Sequence, residues 1–340
     1  MESELACPLP FRVENLWGYL DHNGEVLRDA NLEFAGRFND GYGHAIQDNS
    51  LVIYDNEFNV HGRVPNARSL TTFSDGLLAI ESSSSNRDCY IDIVGNRPFE
   101  GEFDNALPFS SQRAFVQVDC LWGMIDRVGS WLIAPSLSDV NSFLPQTNLT
   151  SVRFTTEEKW CLIDKEGNRV TSKEFDILKQ VSQQRVAFGT RANRQVRFGI
   201  ADDTGEQITS PIFCGCDDGF RSGYLGAESD DGTWGVIDRS GNWVISPRFT
   251  YIGECGEGLF LAYKGGQRTL EGYLIDGRFG FVDANGDVVI DFQFDEAFPM
   301  RNGVSRVGWF RDTTQLYISD SSIGYVTSSG KLIWDERKSK

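Results

Sequence analysis

A five-residue pattern recurs along the chain: an aromatic residue, Gly, any residue, an aliphatic residue and Asp, with a second Gly three places beyond the Asp. It stands as Trp17-Gly18-Tyr19-Leu20-Asp21 with Gly24, Trp122-Gly123-Met124-Ile125-Asp126 with Gly129, and Trp234-Gly235-Val236-Ile237-Asp238 with Gly241. Phe279-Gly280-Phe281-Val282-Asp283 with Gly286 is a close copy. Self-similarity at a fixed period decides architecture before any local propensity does, because repeats build folds by packing one unit against the next.

Weaker copies fill the intervals. Phe198-Gly199-Ile200-Ala201-Asp202 keeps the pattern, Trp160-Cys161-Leu162-Ile163-Asp164 replaces the first Gly, and Ile323-Gly324-Tyr325-Val326-Thr327 loses the Asp. Leu51-Val52-Ile53-Tyr54-Asp55 carries Phe58 at the place of the second Gly, and Asp88-Cys89-Tyr90-Ile91-Asp92 keeps Gly95. Nine units result, with the Asp position at 21, 55, 92, 126, 164, 202, 238, 283 and 327 and steps of roughly 34–45 residues, the range of known repeat architectures.

On these motifs the chain resembles the WG-repeat (KWG-repeat) family from about Leu16 to Ile333. Unit seven also carries the continuation Trp243-Val244-Ile245-Ser246-Pro247-Arg248-Phe249 typical of that family. The resemblance implies a mainly bacterial, β-rich, non-enzymatic binding or scaffold protein, and it brings no catalytic residues with it.

Each pattern reads as a β-hairpin. Trp234, Val236 and Val244 suit a pleated surface. Asp238-Arg239-Ser240-Gly241 is a type I turn signature closed by a left-handed Gly. The Gly after the aromatic marks a bulge or a close backbone approach. A calcium loop would need six or more oxygens including a late acidic ligand, which the spacing does not provide, so neither a metal nor a cofactor is expected. A short strand following each hairpin, as in Phe73-Ser74-Asp75-Gly76-Leu77, makes about three strands per unit.

The expectation is therefore an all-β array of stacked units forming a curved solenoid or superhelix. A β-propeller is the alternative, disfavoured because its blades have four strands and WD or Kelch signatures are missing. The boundaries read as an N-terminal cap over 1–15, the array over 16–334 and a disordered tail over 335–340, with one short helix at Glu174 to Val181. The repeated aromatics read as core, since large aromatics dominate buried area.

Composition narrows function. The net charge of −17 argues against direct nucleic-acid binding, which needs a basic stripe. The N-terminus reads as lacking a signal peptide, no apolar run spans a membrane, and seven irregularly spaced Cys do not form a disulfide framework. A cytoplasmic protein, monomeric when free, is expected. Cys89 and Cys161, at the small repeat position, read as packed thiols. The three His (His22, His44, His61) announce no catalytic constellation, and His22 reads as a solvated turn tip.

The densest acidic stretch is Asp217, Asp218, Glu228, Asp230 and Asp231, the candidate docking patch for a basic protein. Insertions around Lys264 to Arg268 and Arg311 to Thr314 are second candidates, because repeat insertions map to loops, often on the binding face. The leading reading is an acidic scaffold for a basic protein, in its specific form an immunity protein against a toxin. A glycan- or cell-wall-binding module and a hydrolase on a repeat scaffold rank behind it.

Overall fold

The computed structural model describes residues 7–82, 85–145, 147–192, 195–269, 272–310 and 321–338. Two compact units divide the chain, Met1–Glu174 and Phe175–Lys340. Both are built of antiparallel sheets, and the one helical element among the described residues is a 3-10 turn at Glu336–Lys338.

The building block corrects the three-stranded solenoid layer. A full sheet runs in chain order through four strands, as in Gly215–Cys216, Tyr224–Glu228, Trp234–Asp238 and Trp243–Phe249. A two-residue first strand, two longer middle strands and a fourth strand form a simple meander, the blade of a β-propeller. The fold is thus the propeller alternative, not the stacked solenoid. Eight sheets hold the nine repeat units, because Trp131–Val140 runs from the fourth unit into the fifth and joins them in one six-stranded sheet.

The sequence repeat is offset from the sheet. The hairpin Trp234–Asp238 to Trp243–Phe249 pairs backwards with Tyr224–Glu228, while the next strand, Tyr251–Gly256, opens the following sheet. The strand assigned to the end of each sequence unit therefore belongs to its neighbour. This offset ties consecutive sheets through the chain itself.

The Asp of the repeat closes its hairpin with two side-chain acceptor bonds. Asp238 Oδ1 accepts the N–H of Ser240 (2.8 Å) and of Asn242 (2.9 Å). Asp21, Asp55, Asp92, Asp126, Asp164, Asp202 and Asp283 repeat the same pair of bonds to the second and fourth residues beyond them. In unit nine Thr327 Oγ1 takes over, accepting Lys331 N–H at 3.1 Å. The Gly three places on is left-handed, with φ of 85° at Gly241. Phe58 adopts the same region with φ 64°, and its ring is held by Tyr19, Phe38 and Tyr54, whose packing offsets the strain.

The first Gly admits the fourth strand. A Cβ on Gly235 would lie 2.4 Å from Ile245 O and 2.8 Å from Pro247 N, and the pairing of these strands shifts register at this place. Gly18, Gly123 and Gly280 are equally crowded by backbone carbonyls. Units three and five, where Cys89 and Cys161 replace this Gly, have only isolated bridges at the fourth-strand position (Asp88 to Phe103, Ile163 to Arg169), but so does unit six, which keeps Gly199 (Phe198 to Phe213), while unit two, with Val52 at this place, pairs a full fourth strand at Val60–Pro65. Both thiols are buried, and all seven cysteines are free.

The core is a series of clusters, each shared by neighbouring repeat units. In the first unit, Tyr19, Leu32, Phe38, Val52 and Tyr54 form one, and Phe115, Met124, Leu137, Phe143 and Val152 another. In the second, Trp234, Val236, Ile252, Phe260 and Val282 pack together. The residue before each turn joining the first and second strands is an anchor: Phe38, Phe73, Phe109 and Phe220 are all buried. Burying each contributes about 2–3 kcal/mol. The repeat aromatics are less uniform. Trp234 is buried, whereas Trp17, Trp122 and Phe279 are only half-buried.

Other boundaries shift. The 1–15 cap contains Leu9–Val13, a strand fully paired with Leu16–Leu20, so the first sheet begins before the predicted array. Glu174 to Val181 is not a helix: Ile177–Leu178 is a short first strand, because its apolar residues pair with Phe188 and Gly189. The described part of the 335–340 tail is ordered, with buried Asp335 and Glu336 and an Asp335–Arg337 ion pair at 2.8 Å.

A pair of Gly variants separates the two roles of glycine. Gly235→Ala, blocked by backbone, is expected to lose about 2–4 kcal/mol in denaturant unfolding. Gly232→Ala, with φ 81° but open space around its Cβ, is expected to lose only about 1 kcal/mol. Equal losses would show that the fourth strand does not need the repeat Gly.

Candidate functional site

The five acidic candidates lie on or beside the sheet of unit seven, on Gly215–Cys216, Tyr224–Glu228 and the turn between Glu228 and Trp234. The structure does not merge them into one uncompensated patch. Each has its own partner inside the protein.

Asp218 receives an ion pair from Lys179 Nζ at 2.6 Å. Asp230 pairs with Arg197, whose Nη1 also lies 3.1 Å from Cys214 Sγ. Hydrogen bonding to Arg197 holds the Asp230 carboxyl below the usual range. Asp231 caps its own turn, accepting Ser229 Oγ (2.6 Å), Thr233 Oγ1 (2.6 Å) and Thr233 N–H (2.9 Å). These donors hold it at about 2. Glu228 stands 4.0 Å from Arg268 Nη1, and burial still pushes its carboxyl up.

Asp217 differs from the rest. Part of the residue reaches the surface, but its carboxylate is enclosed. Tyr251 donates its hydroxyl to Oδ1 at 2.9 Å, and Glu254 N–H lies 3.3 Å from Oδ2. Burial raises its pKa to about 7 against these bonds. It cannot serve as a surface docking charge.

Spacing could not have revealed the cations that neutralise the cluster. Lys179 and Arg197 come from the preceding sheet and Arg268 from the following one, brought in by tertiary packing. The Lys264 to Arg268 insertion is described: Leu259–Arg268 and Leu274–Val282 extend as a long hairpin whose residues from Lys264 to Arg268 are exposed. Arg268 turns back from it, its guanidinium carbon 4.9 Å from the Trp234 ring centroid. Tyr251, with its ring centroid 5.1 Å away, packs against Trp234 as well, and the Trp234 side chain is buried. The Arg311 to Thr314 insertion lies outside the described residues, as do Ser83 and Ser84 of the polar Ser loop.

The loops joining second and third strands vary in length. They run from the two residues Asp48 and Asn49 to the five between Glu228 and Trp234, and to the extended arm at Lys264. The turn after the repeat Asp is constant by comparison, locked by its side-chain bonds. Turns between first and second strands are tied to each other across neighbouring sheets. Asp75 Oδ2 accepts Gln112 N–H at 2.5 Å, and Glu257 Oε2 accepts Gly303 N–H at 2.9 Å.

The structure corrects the predicted setting of His22. Its Nε2 lies 2.9 Å from Cys7 O, so it tethers the N-terminal segment instead of standing solvated. His61 contacts Asp55 at 3.0 Å, which with Asn59 holds that carboxyl at about 2. His44 is fully buried, with Nε2 3.2 Å from Ser69 O. Among the described residues no group of three or more His, Cys, Asp or Glu side chains is placed to hold a metal ion. No helix of the described residues is long and apolar enough to cross a membrane.

A model of the WG-containing β-repeat matches residues 17–49, 234–267 and 279–308. These three segments are WG repeats. Each match starts on the repeat aromatic and runs through its hairpin into the first two strands of the next sheet. No curated protein matches the chain. Among solved structures, a eukaryotic initiation factor matches with a TM-score of 0.67 over 98% of this chain and 96% of the other, at 13% identity. That likeness shows the fold alone. A computationally designed protein, Ika8, matches at 0.47 over 77% and 84% with 13% identity. BamB from Moraxella catarrhalis matches at 0.41 over 75% and 93% with 11% identity.

Two expectations follow from these contacts. Arg268→Ala should uncover Trp234 and shift its fluorescence to the red without unfolding the chain; an unchanged spectrum would refute the covering role of the arm. Burial lowers the His44 pKa to about 4 from 6.5. The unfolded chain therefore binds the proton first, and stability is lost as pH falls from about 6.5 to about 4, by up to about 3 kcal/mol. His44→Gln should flatten that limb in acid titrations followed by circular dichroism.

Proposed function

We propose that this protein is a non-enzymatic scaffold that docks a protein partner through the loops joining the second and third strands of its sheets. The exposed arm from Lys264 to Arg268, an extension of one such hairpin beyond its sheet, carries this reading. Repeat proteins diversify binding surfaces through insertions while the packing positions stay fixed. Here the repeat Asp, Gly and aromatic positions are occupied by turn closure, strand approach and packing, which leaves the loops free to vary.

The finer reading is a basic partner, and in its specific form a toxin that this protein neutralises as an immunity protein. The net charge of −17 supports it through long-range attraction of basic proteins. That attraction comes from the whole charge distribution, since the acidic cluster of unit seven is internally paired. The glycan reading loses its stacking platform where the repeat aromatics enter the packing, most completely at Trp234.

Capture from native lysate at low and high salt tests the partner class. A single basic protein, retained at low salt and weakened by about tenfold or more at high salt, is the expected result. Enrichment that is indifferent to salt would remove the electrostatic reading. For the toxin version, deleting the gene beside an active neighbouring toxin gene should kill the host; survival would refute it.

A further inference from the structure

The enclosed carboxylate of Asp217 sits at a joint between two sheets. On one side is its own sheet, in which Asp217 N–H donates to Gly226 O at 3.0 Å. On the other is Tyr251–Gly256, the first strand of the next sheet, which supplies the Tyr251 hydroxyl and the Glu254 N–H. Two glycines make the space. A Cβ on Gly253 would lie 1.9 Å from Asp217 Oδ2, and one on Gly226 would lie 2.6 Å from it. Glu254 is left-handed, with φ 42°, at a bulge where the pairing with Leu259–Arg268 shifts register between Gly253 and Cys255. Bulges of this kind re-aim backbone groups at specific positions. Here the bulge turns an N–H toward the carboxylate across the joint.

We propose that this joint is a proton-operated latch: protonated Asp217 seals the packing of the two sheets, and its deprotonation places a charge between them and loosens the joint. The groups facing it set the balance. Glu254 disfavours ionisation, the Tyr251 hydroxyl and the backbone of Glu254 and Gly226 favour it, and Lys179 and Asp218, paired with each other, lie beside neighbouring Cys216. Arg268 acts on Tyr251. Glu254 is partly drawn away by Arg221, 3.9 Å distant.

The sign follows from linkage. Burial raises the folded pKa from 3.8 to about 7, so the folded state holds the proton through that window. The latch is tight at the acidic end, and its contribution is lost as pH rises towards about 7. This runs opposite to the limb set by His44. The latch does not depend on the docking reading.

The test compares the full chain with Asp217→Asn, which cannot ionise. Between about pH 5 and pH 7 the folding equilibrium of the wild type should fall relative to the variant by up to about tenfold per pH unit. Hydrogen exchange at the amides of Asp217 and Glu254, corrected for intrinsic rates, should quicken above neutrality in the wild type and not in the variant. Parallel stability curves across pH would overturn the proposal. Should Asp217→Asn not fold, Tyr251→Phe serves. Loss of the donor to the ionised form should move the midpoint of the wild-type pH profile upward, whereas a merely structural loss would lower stability equally at every pH and overturn the latch.

Discussion

The fold depends on closing the hairpin after each repeat Asp. Each closure brings two backbone donors to the tip of a tight turn, where the ladder cannot pair them. The Asp side chain accepts both, from the second and fourth residues beyond it, and the left-handed Gly lets the chain return. At Gly18, Gly123, Gly235 and Gly280 the fourth strand then crosses at a distance no side chain permits. Where Cys takes that place, a continuous fourth strand does not form. The pattern governs the turn, whereas the width of the sheet does not follow it alone: Val52 pairs with a full fourth strand and Gly199 does not.

The same pattern hides the true unit of packing. A sequence repeat begins on the aromatic residue, but the sheet begins two strands earlier. The four-stranded blade consequently reads in sequence as three strands plus a displaced one. Its two-residue first strand, such as Gly215–Cys216, is too short to carry a periodic signal. The hydrophobic clusters lie between repeat units, so each unit buries its apolar surface only against a neighbour.

Charge shows the same limit. Asp217, Asp218, Glu228, Asp230 and Asp231 are close in sequence and look like one acidic surface. Cations from the flanking sheets, Lys179, Arg197 and Arg268, divide them into separate pairs. Asp231 serves its own turn, and Asp217 goes beneath the surface to a tyrosine. Only the long-range field of the excess negative charge survives as a property of the whole chain.

The sequence by itself determined the all-β class, the count of nine hairpins, the turn chemistry of the repeat Asp and Gly, and the WG repeats at the strongest copies. These are local: a turn's donors, acceptor and left-handed residue lie within five positions of each other. Tertiary structure decided that the full sheets are four-stranded propeller blades, that Arg268 lies over Trp234, that Leu9–Val13 belongs to the first sheet, and that Asp217 is enclosed. Those outcomes rest on which strand edge pairs with which and on cations arriving from residues tens of positions away, and no local pattern in the chain encodes that meeting.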